Sequence, residues 1–222
     1  MPKISPQYKT LTDNSILIEF EQVISPQILT VVTAMDQLIR EADLYGVIET
    51  VPAYASLAVF YNPLLWEQET LVVELKKLLP GLKKVKQPES RLWEVSVSYE
   101  AKDSPDMPIV MKHSGLSREE VIRVHTQNEY LVYMLGFLPG FIYLGGMDER
   151  LNTPRKPVPD LKTAPGSVAI GGAQTGIYAI ESPAGWNIIG RTSDIFFDPQ
   201  SKEPLRIKQG DRVMFVAKRP KY

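Results

Sequence analysis

The chain has 222 residues, with 25 Lys and Arg against 26 Asp and Glu and a formal net charge of −1. Hydrophobic residues make up 44% and charged residues 23%, which suits one large or two small globular domains and argues against extensive disorder. With no Cys and only His113 and His125, disulfides, thiolate metal sites, a Cys nucleophile and a histidine-rich metal site are excluded. The charge balance argues against a nucleic-acid partner held by bulk charge. No apolar run approaches the roughly 20 residues that span a bilayer, and Met1 to Pro6 has no signal-peptide core. No membrane association and a cytoplasmic location are the expectations.

Glycine divides the chain: residues 1–111 hold only Gly46 and Gly81, and residues 112–222 hold the other twelve. The first part reads as regular αβ structure. A strand is expected over Ile16–Phe20, then a helix opened by the Ser25 cap and Pro26. Its apolar face is Ile28, Val31, Val32, Met35, Leu38 and Ile39. Val47–Val51 and Ala55–Tyr61 read as a hairpin, Asn62-Pro63 as the start of a second helix, and Leu92–Tyr99 as a half-buried strand. The order βαββαβ is the ferredoxin-like arrangement, placed over residues 1–100.

From 101 onward the signals are connector helices and short strands. Residues 105–112 suggest a helix closed by Gly115, and Ser117 with Glu120 has capping-box spacing for a helix through Thr126. Strands are expected at Tyr130–Leu135, Ser167–Ile170, Ile177–Ile180, Asn187–Ile189, Ile195–Phe197 and Arg212–Ala217. That spacing points to a barrel or sandwich.

Four clusters carry candidate chemistry. Gly136 to Gly146, with Phe137, Pro139, Gly140 and Phe141, is an apolar pocket or a packed barrel corner. Gly171-Gly172-Ala173-Gln174-Thr175-Gly176 is a hairpin loop or an anion-holding nest of amides. Gly185-Trp186 leads to Arg191-Thr192; Trp186 is a core residue or a stacking wall, and Arg191 offers a fork for carboxylate or phosphate. Pro154-Arg155-Lys156-Pro157 is a basic loop. His125, in a helix's last turn, is a capping residue or an acid–base group.

The string His125-Thr126, Leu135 to Phe141 and Tyr143 to Gly146 resembles the family of 5-oxoprolinase B subunits, which includes a sporulation-kinase inhibitor and is often labelled allophanate hydrolase subunit 1. The likeness continues through Pro154-Arg155, Gly166 to Gly172, Gln174 to Tyr178, Gly185-Trp186, Ile189 to Thr192, Phe197 to Pro199 and Gly210 to Val213. It implies an α+β protein: a ferredoxin-like domain over 1–100 and, over 101–222, connector helices with a cyclophilin-like β-barrel. It implies a polypeptide inactive alone, working with the homologous C subunit and with the A subunit of 5-oxoprolinase. ATP, with Mg2+, would activate the lactam of 5-oxoproline before ring opening to glutamate. The alternative is a regulator of a sensor histidine kinase. On this resemblance and on residue type, His125, Arg155 and Arg191 are the catalytic candidates, and no residue is assigned to a metal. Phe137, Pro139, Gly140, Phe141, Gly171, Gly172, Gln174, Thr175, Gly185, Trp186 and Thr192 are the substrate-binding candidates. Two departures stand out: Asp160 where the family carries Arg, and Ala184 where it carries Gly.

Overall fold

Ser25 and Pro26 start the first helix as their spacing predicts. The Ser25 hydroxyl accepts the Ile28 N–H at 3.2 Å, and Pro26 occupies the first turn of α1 (Pro26–Ala42). In the computed structural model, residues 5–85 and 89–218 are described. The chain divides into two units, Met1–Glu89 and Ser90–Tyr222.

The first unit runs β1 (Gln7–Thr12), β2 (Ser15–Glu19), α1, β3 (Val47–Pro52), β4 (Ser56–Tyr61) and α2 (Gln68–Leu78). Its sheet is antiparallel, in the order β1-β2-β4-β3. Ile16, Ile18, Leu57 and Val59 from the central strands pack with Val32, Met35 and Ile39 of α1 and Leu71 and Leu75 of α2. The second helix starts at Gln68, not at Asn62-Pro63, and Pro80-Gly81 lies in a 3-10 turn that continues it.

The βαββαβ reading is corrected to ββαββα. The edge beside β2 is filled by β1, a largely exposed strand whose Lys9 pairs with Glu19. The strand expected to close the first domain, β5 (Leu92–Ser98), belongs to the second unit. The division therefore falls between Glu89 and Ser90 rather than at 100. The physical reason is a distant partner. β5 lies parallel to β13 (Arg212–Ala217), with Leu92 opposite Arg212. Asp211 locks this pair: it is 6% exposed and accepts from the Arg91 amide at 3.0 Å, the Trp93 indole at 2.9 Å and the Lys208 amide at 3.0 Å.

The second unit continues with α3 (Met107–Ser114), α4 (Arg118–Thr126), β6 (Glu129–Leu135), β7 (Ile142–Gly145), β8 (Asp160–Thr163), β9 (Ser167–Gly171), β10 (Gln174–Ile177), β11 (Ser182–Ala184) and β12 (Asn187–Thr192). Among the described residues a closed barrel runs β10-β7-β6-β13-β5-β12-β9, with β9 pairing back to β10. Strands β8 and β11 form a separate two-stranded sheet. The capping box at Ser117 and Glu120 is present in full, and Gly115 ends α3. Two strand expectations move. The run at 177–180 ends at Ile177, and Ile195–Phe197 contributes only an isolated bridge from Phe197 to Leu205.

The barrel interior packs Val95, Val97, Val132, Ile142, Leu144, Val168, Ile170, Ile177, Val213 and Phe215. A second cluster forms around Phe141, Ala169, Tyr178, Ala184, Trp186 and Ile188. Side chains alternate across a strand. Ala169, between two interior residues of β9, therefore faces outward, and this second cluster covers the barrel's outside.

Candidate functional site

The outer cluster centres on Trp186, which is 5% exposed. Glycine makes room for it. A Cβ on Gly171 would lie 2.5 Å from the indole, and one on Gly176 would lie 3.1 Å from it. Phe141 meets Trp186, Tyr143 and Tyr178 edge-on at centroid distances of 5.5, 4.5 and 4.7 Å, and Phe137 meets Phe141 at 5.8 Å. Edge-to-face packing suits the ring quadrupoles and rigidifies the patch. Phe137 is 62% exposed and has φ +69, a left-handed conformation rare outside glycine.

The guanidinium of Arg155 lies over the Trp186 ring, 5.7 Å from its centroid. This is a cation–π contact. Arg155 is exposed and makes no ion pair with a described residue. The loop that carries it is pinned from both sides. The Asn187 amide donates to the Pro154 carbonyl at 2.9 Å, and the Lys156 amide donates to the Gly185 carbonyl at 2.8 Å. The Lys156 ammonium, 9% exposed, pairs with Asp106 at 2.8 Å and with Asp160. Burial works to lower the Lys156 pKa, but its bonds to Asp106 and Asp160 outweigh burial and raise it. Asp160 thus holds the Arg155 loop through its neighbour Lys156.

The electrostatics are those of a cation beside phenols. Burial raises the Tyr143 pKa, and the charge of Arg155 opposes that rise. Burial pushes Tyr178 up to about 12, against a Trp186 backbone hydrogen bond and the Arg155 charge. Both phenols stay neutral near pH 7. Three buried polar atoms in the second unit have no partner among the described residues: Asn187 Oδ1, Thr163 Oγ1 and Ser182 Oγ. Asn187 bears directly on the Arg155 loop.

The structure gathers some expected site residues and separates others. Arg155, Trp186, Gly185, Phe137, Phe141 and Gly171 meet on the outer face. Pro139 is exposed and Gly140 buried in the same corner, where a Cβ on Gly140 would lie 2.4 Å from Phe197. Of the two readings of 171–176, the structure forms the hairpin. Gly171 pairs with Gln174, and the Gly172 amide donates to the Thr153 carbonyl at 2.7 Å. Gln174, half-buried, and Thr175 are strand residues of β10.

His125 is corrected from acid–base candidate to core residue. It is fully buried and stacked on Phe215 at 4.5 Å. Its Nε2 meets Thr175 Oγ1 at 2.9 Å and its Nδ1 meets the Tyr99 hydroxyl at 2.8 Å. Thr175 donates its own proton to the Ala169 carbonyl at 3.0 Å, so it accepts from His125 Nε2–H. Nδ1 then accepts from Tyr99. Burial lowers the His125 pKa to about 3, and both nitrogens are spent inside the core. Arg191 and Thr192 lie elsewhere, along a groove at the far end of β12. Sequence reasoning missed Tyr143, Tyr178 and Asn187; only Tyr143 and Tyr178 fall inside the resembling strings.

A closed barrel with a cationic, aromatic outer face, preceded by an α/β unit, defines a two-unit protein whose barrel carries the candidate site. The chain belongs to the family described as carboxyltransferase domain, subdomain C and D, whose model matches residues 6–207. It is similar to the 5-oxoprolinase B subunit of Bacillus subtilis (strain 168), 38% identical over 95% of this chain and 92% of that protein. It is also 40% identical to the 5-oxoprolinase B subunit of Escherichia coli O157:H7, over 80% of this chain and 81% of that one. Among solved structures, TTHA0988 matches 93% of this chain at a TM-score of 0.80 and 32% identity, and this chain spans 40% of TTHA0988's length.

Proposed function

We propose that this chain is the B subunit of an ATP-dependent 5-oxoprolinase, acting with a C subunit to activate 5-oxoproline and with an A subunit to open it to glutamate. The observation that carries the reading is the B. subtilis match, which spans nearly the whole of both chains. A lactam is a poor electrophile, and phosphorylating its oxygen supplies a leaving group. That step concentrates negative charge on oxygens, which positioned cations stabilise. Arg155 suits that role: it is accessible, unpaired among the described residues, and seated on Trp186 by a pinned loop.

In this reading the Arg155 fork receives a carboxylate or phosphate oxygen. Gly171 and Gly176 let the indole pack closely on the barrel and Arg155 lies over its ring, so Trp186 serves as the platform for Arg155. Phe137 and Tyr143 border the same face. Mg2+, bound with ATP, would supply charge neutralisation to the phosphates. Among the described residues there is no group of three or more His, Asp or Glu side chains placed to hold it, and no residue here is assigned to it. No helix among the described residues is long and apolar enough to cross a membrane, and a cytoplasmic location belongs to the proposal. The kinase-regulator alternative is not favoured, because the relatives at 37–40% identity all carry the 5-oxoprolinase B-subunit name.

The test is co-expression with the C and A homologues, followed by assay of 5-oxoproline-dependent ATP hydrolysis and glutamate release. Turnover is expected only when this chain is present. An assembled complex that leaves 5-oxoproline untouched would overturn the reading.

A further inference from the structure

Arg191 lies five residues beyond Trp186, roughly 16 Å along extended chain, and lines a different cavity. This groove holds about 390 Å³ and brings together Arg191, Lys218, Asp103 and Asp194. Opposite charges sharing a groove ordinarily pair with each other. Here none of the four enters an ion pair among the described residues; each that is held is held by a neutral partner. Arg191 Nε donates to the Pro165 carbonyl at 3.1 Å. Lys218 Nζ donates to the Ser193 hydroxyl at 2.9 Å. Asp103 accepts from the Ser98 hydroxyl at 2.6 Å. The terminal guanidinium nitrogens of Arg191 and the carboxylate of Asp194 have no partner among the described residues. Exposed Lys102 lends its charge to Asp103 from solvent but pairs with Glu100 at 3.0 Å.

A simple anion in this groove meets two carboxylates, and a simple cation meets Arg191 and Lys218. A ligand carrying both signs satisfies both sets and is selected against its single-sign analogues. We infer that the groove binds a free α-amino acid, its carboxylate on Arg191 and Lys218 and its ammonium on Asp103 and Asp194. The site is separate from the Arg155 face and does not rest on the oxoprolinase reading.

The test is calorimetric titration of the full chain alone with L-glutamate and with glutarate, which lacks only the ammonium. L-Glutamate is expected to bind, with glutarate at least tenfold weaker. Arg191→Gln and Asp194→Asn, both at exposed positions, should each weaken glutamate at least tenfold with an unchanged thermal melt. The inference is overturned if glutamate does not bind. It is also overturned if glutarate binds as tightly, or if Arg191→Gln binds like the parent. Because the titration uses this chain without its partners, failure here leaves the turnover test of the proposed function standing.

Discussion

Two polar sites sit in apolar surroundings in the second unit, and they are finished differently. Inside the barrel, His125 has both nitrogens bonded, a ring stacked on Phe215 and no exposed surface. Outside it, Arg155 rests on Trp186 with its donors turned to solvent, beside a buried Asn187 oxygen that has no described partner. A complete network fixes a core. An incomplete one, held on a rigid platform, is free to take a ligand. The difference separates a histidine that stabilises from an arginine that is available.

The sharpest way to break this comparison is at His125. His125→Ala removes the partner of two buried hydroxyls and opens a cavity, and should destabilise the protein by about 3 kcal/mol or more in urea denaturation. A variant as stable as the parent would end the core assignment. The pH dependence follows from the same burial. The folded-state pKa is depressed from 6.5 to about 3, so the unfolded chain takes up a proton first as pH falls. The stability associated with neutral His125 is fully present above pH 6.5 and is lost progressively as pH falls toward 3. His125→Gln should flatten that part of the stability–pH curve.

Next is the Lys156 clamp. Lys156→Ala leaves Asp106, a mostly buried carboxylate, without its cation, and should cost about 2 kcal/mol. Lys156 side-chain loss should also loosen the Arg155 loop, read as a larger fall in turnover than the stability change accounts for. Gly171→Ala drives a methyl into the Trp186 indole and should cost about 1–3 kcal/mol, with lost near-ultraviolet signal from the displaced ring. The smallest stability effect belongs to Arg155→Ala, under about 1 kcal/mol, since one exposed cation–π contact is lost. In the assembled enzyme the same change should lower turnover about 100-fold or more. A destabilised Arg155→Ala with full turnover would reverse the comparison.

Local signals in the sequence are reliable where neighbours in the chain decide the structure. The Ser25-Pro26 start, the Ser117–Glu120 box and the Gly115 stop depend only on residues a few positions apart. The aromatic face is legible as a set of residue types around Phe141 and Trp186, but not as an arrangement. Nothing in the period of Leu92–Tyr99 says that its partner is Val213 and Phe215 rather than a strand nearby, so the segment reads as part of the first domain. Arg155 and Arg191 look equivalent in sequence; the direction of β12 carries one away from the other. The tight hairpin at 171–174 and the amide nest share one glycine-rich composition, and only the pairing of Gly171 with Gln174 distinguishes them.

The parallel pairing of β5 with β13 also sets a timetable for synthesis. The Arg91 amide and the Asp211 carboxylate that lock it are 120 residues apart. At roughly 5–20 residues per second, β5 leaves the ribosome on the order of ten seconds before β13 exists. Its other neighbour, β12, is also late. The first unit is built from neighbours in sequence and can fold meanwhile, whereas the barrel must wait with an apolar strand unpaired. Nascent chains halted before Arg212 are therefore expected to be the clients that chaperones hold and proteases clear.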